Sequence, residues 1–211
     1  MRSARVIVVT LVFAASAFLV AAPLRAAESY EAMVARLKAG DAKIDYGALR
    51  DAYAESANYQ PYGGDFDDMR TAMIKAYNAN DCKTTLANAA KVLEVIYIDV
   101  VSHLLSARCH ETAGDAAKAN FHRSVGRGIF DAILATGDGK SAKTAFAVVT
   151  INEEYDVLGL KGLSLKQQSL ANDGGHVYDR MEVTSETGEA MTLYFQIDRP
   201  MRFLSKSMGP K

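Results

Sequence analysis

The hydrophobic period of this chain changes once, between Thr136 and Ser141. Before that point apolar residues recur at helical spacing; after it they alternate or cluster in short β-branched runs. Elements in that order predict an α+β fold, an N-terminal helical part followed by a small antiparallel β-sheet packed on the helices. In "IDYGALRDAYAES", Asp45 is a candidate N-cap, and Leu49, Tyr53 and Ala54 follow at helical spacing. "YQPYGG", residues 59–64, breaks that helix through Pro61 and its glycine pair. "DFDDMRTAMIKAYNAND" opens with acids that suit a helix N-terminus and then sets Met69, Met73 and Ala76 on one face.

Two further helices are marked by a weak repeat. "NAND" ends at Asp81 and "TAGD" at Asp115, an offset of 34 residues, and each Asp opens an amphipathic segment. Between them lie one helix, a break near residues 97–99 and a second helix. A 34-residue helix-turn-helix period is that of tetratricopeptide repeats (TPR), although the diagnostic Trp, Gly and Tyr positions are absent. The expectation is one TPR-like hairpin plus the first helix of a next one. A single repeat cannot bury its own face, so the rest of the chain must cap it.

In the second half, "TAFAVVTI", residues 144–151, reads as a buried strand. "NEEYDVLGL" reads as a short helix or a turn, and "LSLKQQSL" as a strand. "HVYDRMEVTSETGEAMTLYFQID" holds two alternating runs around "SETGE", a hairpin with Gly188 in its turn. The expected organisation is a signal peptide at residues 1–26, a helical TPR-like region at 28–137 and a sheet region at 138–211.

The signal peptide is read from a start with Arg2 and Arg5, an apolar run over residues 6–22, then Pro23 and small residues. Cleavage is expected after Ala26 or Ala27; an uncleaved anchor is the alternative. No Cys lies near that point, so a lipid anchor is not expected. The compartment expected is the bacterial periplasm or beyond. Removing three arginines and no acid leaves 21 cationic side chains against 25 acids, a net charge of −4. No basic run that would track phosphates appears, so nucleic acid is not an expected partner. No second apolar run is long enough to span a bilayer.

"ATGDGKSAKTAF", residues 135–146, ends its glycine pair in Gly-Lys-Ser, as a phosphate-binding loop does. That motif needs a glycine at 134, where Leu134 stands, and it needs a strand before and a helix after, the reverse of the order here. The expected role is a turn: Gly137 stops the helix, and Asp138-Gly139 turns the chain.

The two cysteines lie at matched distances from the helix break near Ile96. Cys82 is 14 residues before it and Cys109 is 13 after, so antiparallel helices bring them level. In an exported chain that predicts a Cys82–Cys109 disulfide, worth roughly 3 kcal/mol by loop closure; two buried thiols are the alternative. No Cys-x-x-Cys supports a redox role. His103 and His110 share a helix face but stand two turns apart, about 10 Å, too far to hold one ion directly. His122 lines up with Val125, Ile129 and Ile133 and reads as a satisfied, half-buried histidine. Neither a metal nor a cofactor is expected. Glu153 and Glu154 follow one predicted strand; His176 and Asp179 open another. These four are the candidate catalytic residues, because two carboxylates and a histidine do acid–base work where they converge. No nucleophile motif accompanies them.

"LRDAYAES", "NYQPY", "TGDGKSAKTAFAVVTINEEYDVL", "QQSL", "YDRMEV" and "LYFQI" together resemble the secreted bacterial proteins grouped as domain of unknown function 4919. The resemblance runs from about Tyr46 to Ile197. It implies an exported protein of helices followed by a small sheet. It implies no activity, and no catalytic residue is carried over. The function expected is a non-catalytic periplasmic binding or protein-interaction module with a protein or peptide partner. The alternative is a hydrolase-like enzyme using Glu153, Glu154, His176 and Asp179.

Overall fold

A computed structural model describes residues 28–64 and 66–209; the expected signal peptide lies outside the described residues. Six helices come first: α1 (Tyr30–Lys38), α2 (Tyr46–Ala54), α3 (Asp67–Asn78), α4 (Cys82–Val95), α5 (Val100–Thr112) and α6 (Ala116–Leu134). A 3-10 turn (Ala142–Thr144), β1 (Phe146–Ala147) and α7 (Ile151–Leu160) follow. β2 (Leu163–Asp173), β3 (His176–Ser185), β4 (Ala190–Gln196) and α8 (Asp198–Ser207) complete the described chain. The fold is α+β.

Most helix starts are set by one chemistry. Ser29, Asp45, Asp81, Asp99, Asp115 and Thr150 each accept a hydrogen bond from a backbone N–H in the first turn of the helix they precede, satisfying a donor with no partner inside the helix. The Asp81 and Asp115 caps stand where the 34-residue spacing puts them. Gly114 and Asn80, just before those caps, take the left-handed conformation that ends the preceding helix. The Cys82–Cys109 disulfide joins the first residue of α4 to the last turn of α5, with Cα atoms 5.2 Å apart.

The sheet order is β1-β4-β3-β2. β2, β3 and β4 form an antiparallel meander. Gly174-Gly175, both with positive φ, makes the first turn, and Gly188 (φ 83°) lies in the second. β1 joins β4 in parallel, Phe146 opposite Phe195, so the sheet is mixed and not wholly antiparallel as expected. The strand expected over 144–151 shrinks to those two residues. Val148 still donates to the Gln196 carbonyl, but Thr150 caps α7 and ends the extended run. Val148 and Val149 are buried all the same, so the apolar run marks the core and not a ladder. One buried cluster takes in Leu49, Ile129, Phe146, Val157, Met181 and Phe195, residues from both halves of the chain.

Candidate functional site

Helix α7 turns three carboxyl groups inward: Glu153, Glu154 and Asp156 are all buried. Each meets a different neighbour, because successive helix positions point about 100° apart. The Glu153 carboxylate receives a bidentate pair from Arg50 of α2, both bonds at 2.8 Å, and the Val149 N–H at 2.7 Å. Arg50 also donates to the Ala147 carbonyl at 2.7 Å and to the Ala132 carbonyl at 3.4 Å. One guanidinium thus ties α2, the end of α6, β1 and α7 together. Asp156 pairs with Arg70 of α3, whose Nε donates to Asp99 at 2.8 Å. Asp99 in turn caps α5 through the Ser102 N–H. Burial pushes the Asp156 carboxyl above its ordinary range, and Arg70 opposes that shift.

Glu154 pairs with no cation among the described residues. Its side chain is fully buried, and no N–H or O–H of the described residues donates to either oxygen. Its neighbour is Asp179 of β3. Burial pushes Glu154 up to about 9, and the neighbouring Asp179 pushes the same way. Glu154 therefore keeps its proton at neutral pH, beside Asp179. Asp179 also accepts from Gln168 Nε2 at 2.9 Å, and Gln168 accepts from the Tyr155 hydroxyl at 3.0 Å. Tyr155 is exposed, so a hydrogen-bonded chain runs from solvent to Asp179. Tyr62, also exposed, has its phenol pushed up by burial and then by the charges of Asp179 and Glu154.

Of the four sequence candidates, Glu154 and Asp179 meet. Glu153 is engaged by Arg50. His176 lies three positions before Asp179 on β3, and strand alternation puts the two on opposite faces. His176 binds Asp198, whose other oxygen accepts from the Val177 N–H at 2.8 Å, fixing the start of α8. The 137–141 loop is a turn: the Asp138 and Gly139 N–H groups both donate to the Thr144 carbonyl, at 3.0 and 2.7 Å, and the Lys140 N–H donates to Asp138. These amides face the chain itself. A Cβ on Gly137 would lie 2.2 Å from that carbonyl oxygen, so the approach needs glycine. Lys140 reaches Asp138 at 3.9 Å.

Sequence reasoning missed Arg50, Arg70, Asp99, Asp156 and Gln168. An arginine on a helix reads as solvated, and only the fold shows that Arg50 sits beside a carboxylate 103 residues away. Among the described residues no three His, Cys, Asp or Glu side chains converge on a metal position, and no helix is long and apolar enough to cross a membrane.

Helices packed on a small mixed sheet, with a buried acid pair, define a class by its architecture. The chain matches the family described as Domain of unknown function (DUF4919) over residues 25–206 and belongs to it. No curated protein and no solved structure matches it.

Proposed function

We propose that the chain is an exported, non-catalytic binding protein whose partner is an acidic, amphipathic peptide or protein segment. The observation that carries this reading is a groove of about 710 Å³ walled by α5 and α6. Leu104, Leu105, Phe130 and Leu160 give it an apolar part, Glu111 and Asp131 also line it, and Arg108 and Arg127 stand in it exposed. Neither arginine forms an ion pair among the described residues, whereas Arg123 beside them is held by Glu111. Apolar surface combined with free guanidinium groups favours a ligand that buries side chains and supplies carboxylates. The TPR-like reading rests on the same elements, α4, α5 and α6 with caps 34 residues apart. Export rests on the charged and apolar start of the chain and on its disulfide.

The test is fluorescence anisotropy with acidic amphipathic peptides and sequence-matched basic ones. The wild type binds the acidic set, more weakly as salt rises, and the Arg108→Glu/Arg127→Glu variant prefers the basic set. Equal binding of both sets, or a preference that the double reversal leaves unchanged, refutes the reading.

A second reading, a hydrolase-like enzyme, draws on the proton that burial keeps on Glu154 beside Asp179, since a carboxylic acid kept protonated at neutral pH is a general acid in waiting. Here the acid is wholly buried, and the hydrogen-bonded chain through Gln168 and Tyr155 starts from its neighbour Asp179. Solvent access to Glu154, measured as rapid carbodiimide labelling in the folded protein, would favour this reading over the first.

A further inference from the structure

Helices α1 and α2 do not close on each other. A groove of about 590 Å³ lies between them, within the range of about 300–1,000 Å³ usual for small-molecule sites. Its floor is apolar: Tyr30 and Met33 stand on the α1 side, and Ala48 and Ala52, one turn apart, on the α2 side. The two alanines leave open the space that larger side chains would fill. The Tyr30 ring is held in place, because its hydroxyl accepts from the Tyr97 N–H at 2.8 Å and its ring packs on Tyr53 with centroids 5.1 Å apart. The rim is acidic. Glu28 and Glu31 lie on one side, Asp51 and Glu55 on the other, and among the described residues no lysine, arginine or histidine lines the groove. Arg36 holds Glu28 at 2.8 Å and Arg199 holds Asp51 at 2.6 Å. Glu31 and Glu55, both exposed, form no ion pair among the described residues.

We propose that the α1–α2 groove is a binding site for a small organic cation with an apolar body, of the alkylammonium class. Charge complementarity selects this ligand. Four carboxylates around an apolar floor attract positive charge and disfavour an anion. Asp51 and Glu55 are one turn apart on α2, where like charges repel, and a cation beside them relieves that repulsion. Helix α2 also ends here, at Ala54, so its C-terminal carbonyls add negative potential. The N-terminus of α1 lies at the groove too, but Ser29 Oγ takes its Ala32 N–H at 3.2 Å and Glu31 sits in its first turn. An apolar body displaces water from Tyr30, Met33 and the two alanines, while the cationic head stays at the rim beside Glu31 and Glu55. The site is independent of the α5–α6 groove, whose exposed arginines suit a ligand of the opposite charge.

The experiment is a titration of the full chain, purified from cells that export it, with octyltrimethylammonium, and with octanoate as the probe of opposite charge. Calorimetry measures the affinity, and NMR of the methionine methyl groups reports the place. One equivalent of the cation is expected to bind, more weakly as salt rises, and to shift Met33 but not Met181, which is buried against the sheet. Octanoate leaves Met33 unmoved. Glu31→Gln/Glu55→Gln, which removes two exposed charges and leaves the fold intact, weakens cation binding about fivefold or more. Glu94→Gln, at an exposed acid on α4, changes nothing. Equal binding of the two probes at Met33, cation binding that the Glu31→Gln/Glu55→Gln variant leaves unchanged, or no saturable shift of Met33 overturns the proposal. A lysine-rich amphipathic peptide that displaces the probe and binds more tightly would make the occupant a polypeptide, and overturns it too.

Discussion

Glu154 is the least conventional residue of the molecule, an acid in the interior with another acid as its partner. Its folded-state proton affinity is raised to about 9 from an ordinary 4.5. The folded chain keeps a proton that the unfolded chain releases. Its contribution to stability is therefore fully present below pH 4.5 and is lost as pH rises towards 9. Glu154→Gln puts a neutral amide beside Asp179 at every pH. The variant should be more stable than wild type at pH 8, by about 2 kcal/mol, and lose that advantage at pH 4. Thermal unfolding at both pH values checks this; a difference that does not vary with pH would show that Glu154 is ionised in the folded state. At the same scale Arg50→Ala leaves Glu153 charged and unpaired in the core. It should cost about 3–5 kcal/mol, and adding Glu153→Gln should recover much of that. Denaturant unfolding of the single and double variants measures it.

At the scale of elements, the helical half was largely legible in the sequence, because its signals are local. Asp45, Asp81 and Asp115 cap helices through bonds three residues long, and the cysteines were level because α4 and α5 are of similar length. Gly188 marked a hairpin for the same reason. The expected strand over 144–151 misled, because burial and strand pairing both select β-branched residues, and the Thr150 hydroxyl decides between them by capping α7. Helix α5 has no clean apolar stripe, because Ser102, His103 and Ser106 are buried polar residues; Ser102 donates to Met73 of α3 and His103 bonds the Tyr97 carbonyl. The candidate site was half legible: Glu154 and Asp179 meet, but strand alternation turns His176 away, and no spacing in the sequence reveals the bonds of Arg50 or Arg70. Cys82→Ser tests the α4–α5 pairing. Loss of a link spanning 27 residues should lower stability by roughly 2–4 kcal/mol. Calorimetry of the oxidised wild type and the variant reads the difference.

At the scale of the whole molecule, the buried ion pairs and the acid pair are joints. Arg50–Glu153 holds α7 to the helices, Arg70 holds it to α3 and α5, and Glu154–Asp179 holds it to the sheet. On the proposed binding reading, recognition falls to the outer surface, where the α5–α6 groove offers Arg108 and Arg127, unpaired among the described residues, beside apolar side chains. Site-specific photocrosslinking in cells that export the protein tests that division of labour most directly. A photoreactive residue at Leu105, in the groove, is compared with one at Leu170, exposed on the edge strand β2. The account predicts a discrete adduct at position 105 to an acidic segment of one partner, lost in the Arg108→Glu/Arg127→Glu background, and none at position 170. An adduct at 170 with none at 105, or one at 105 that persists after charge reversal, would contradict it.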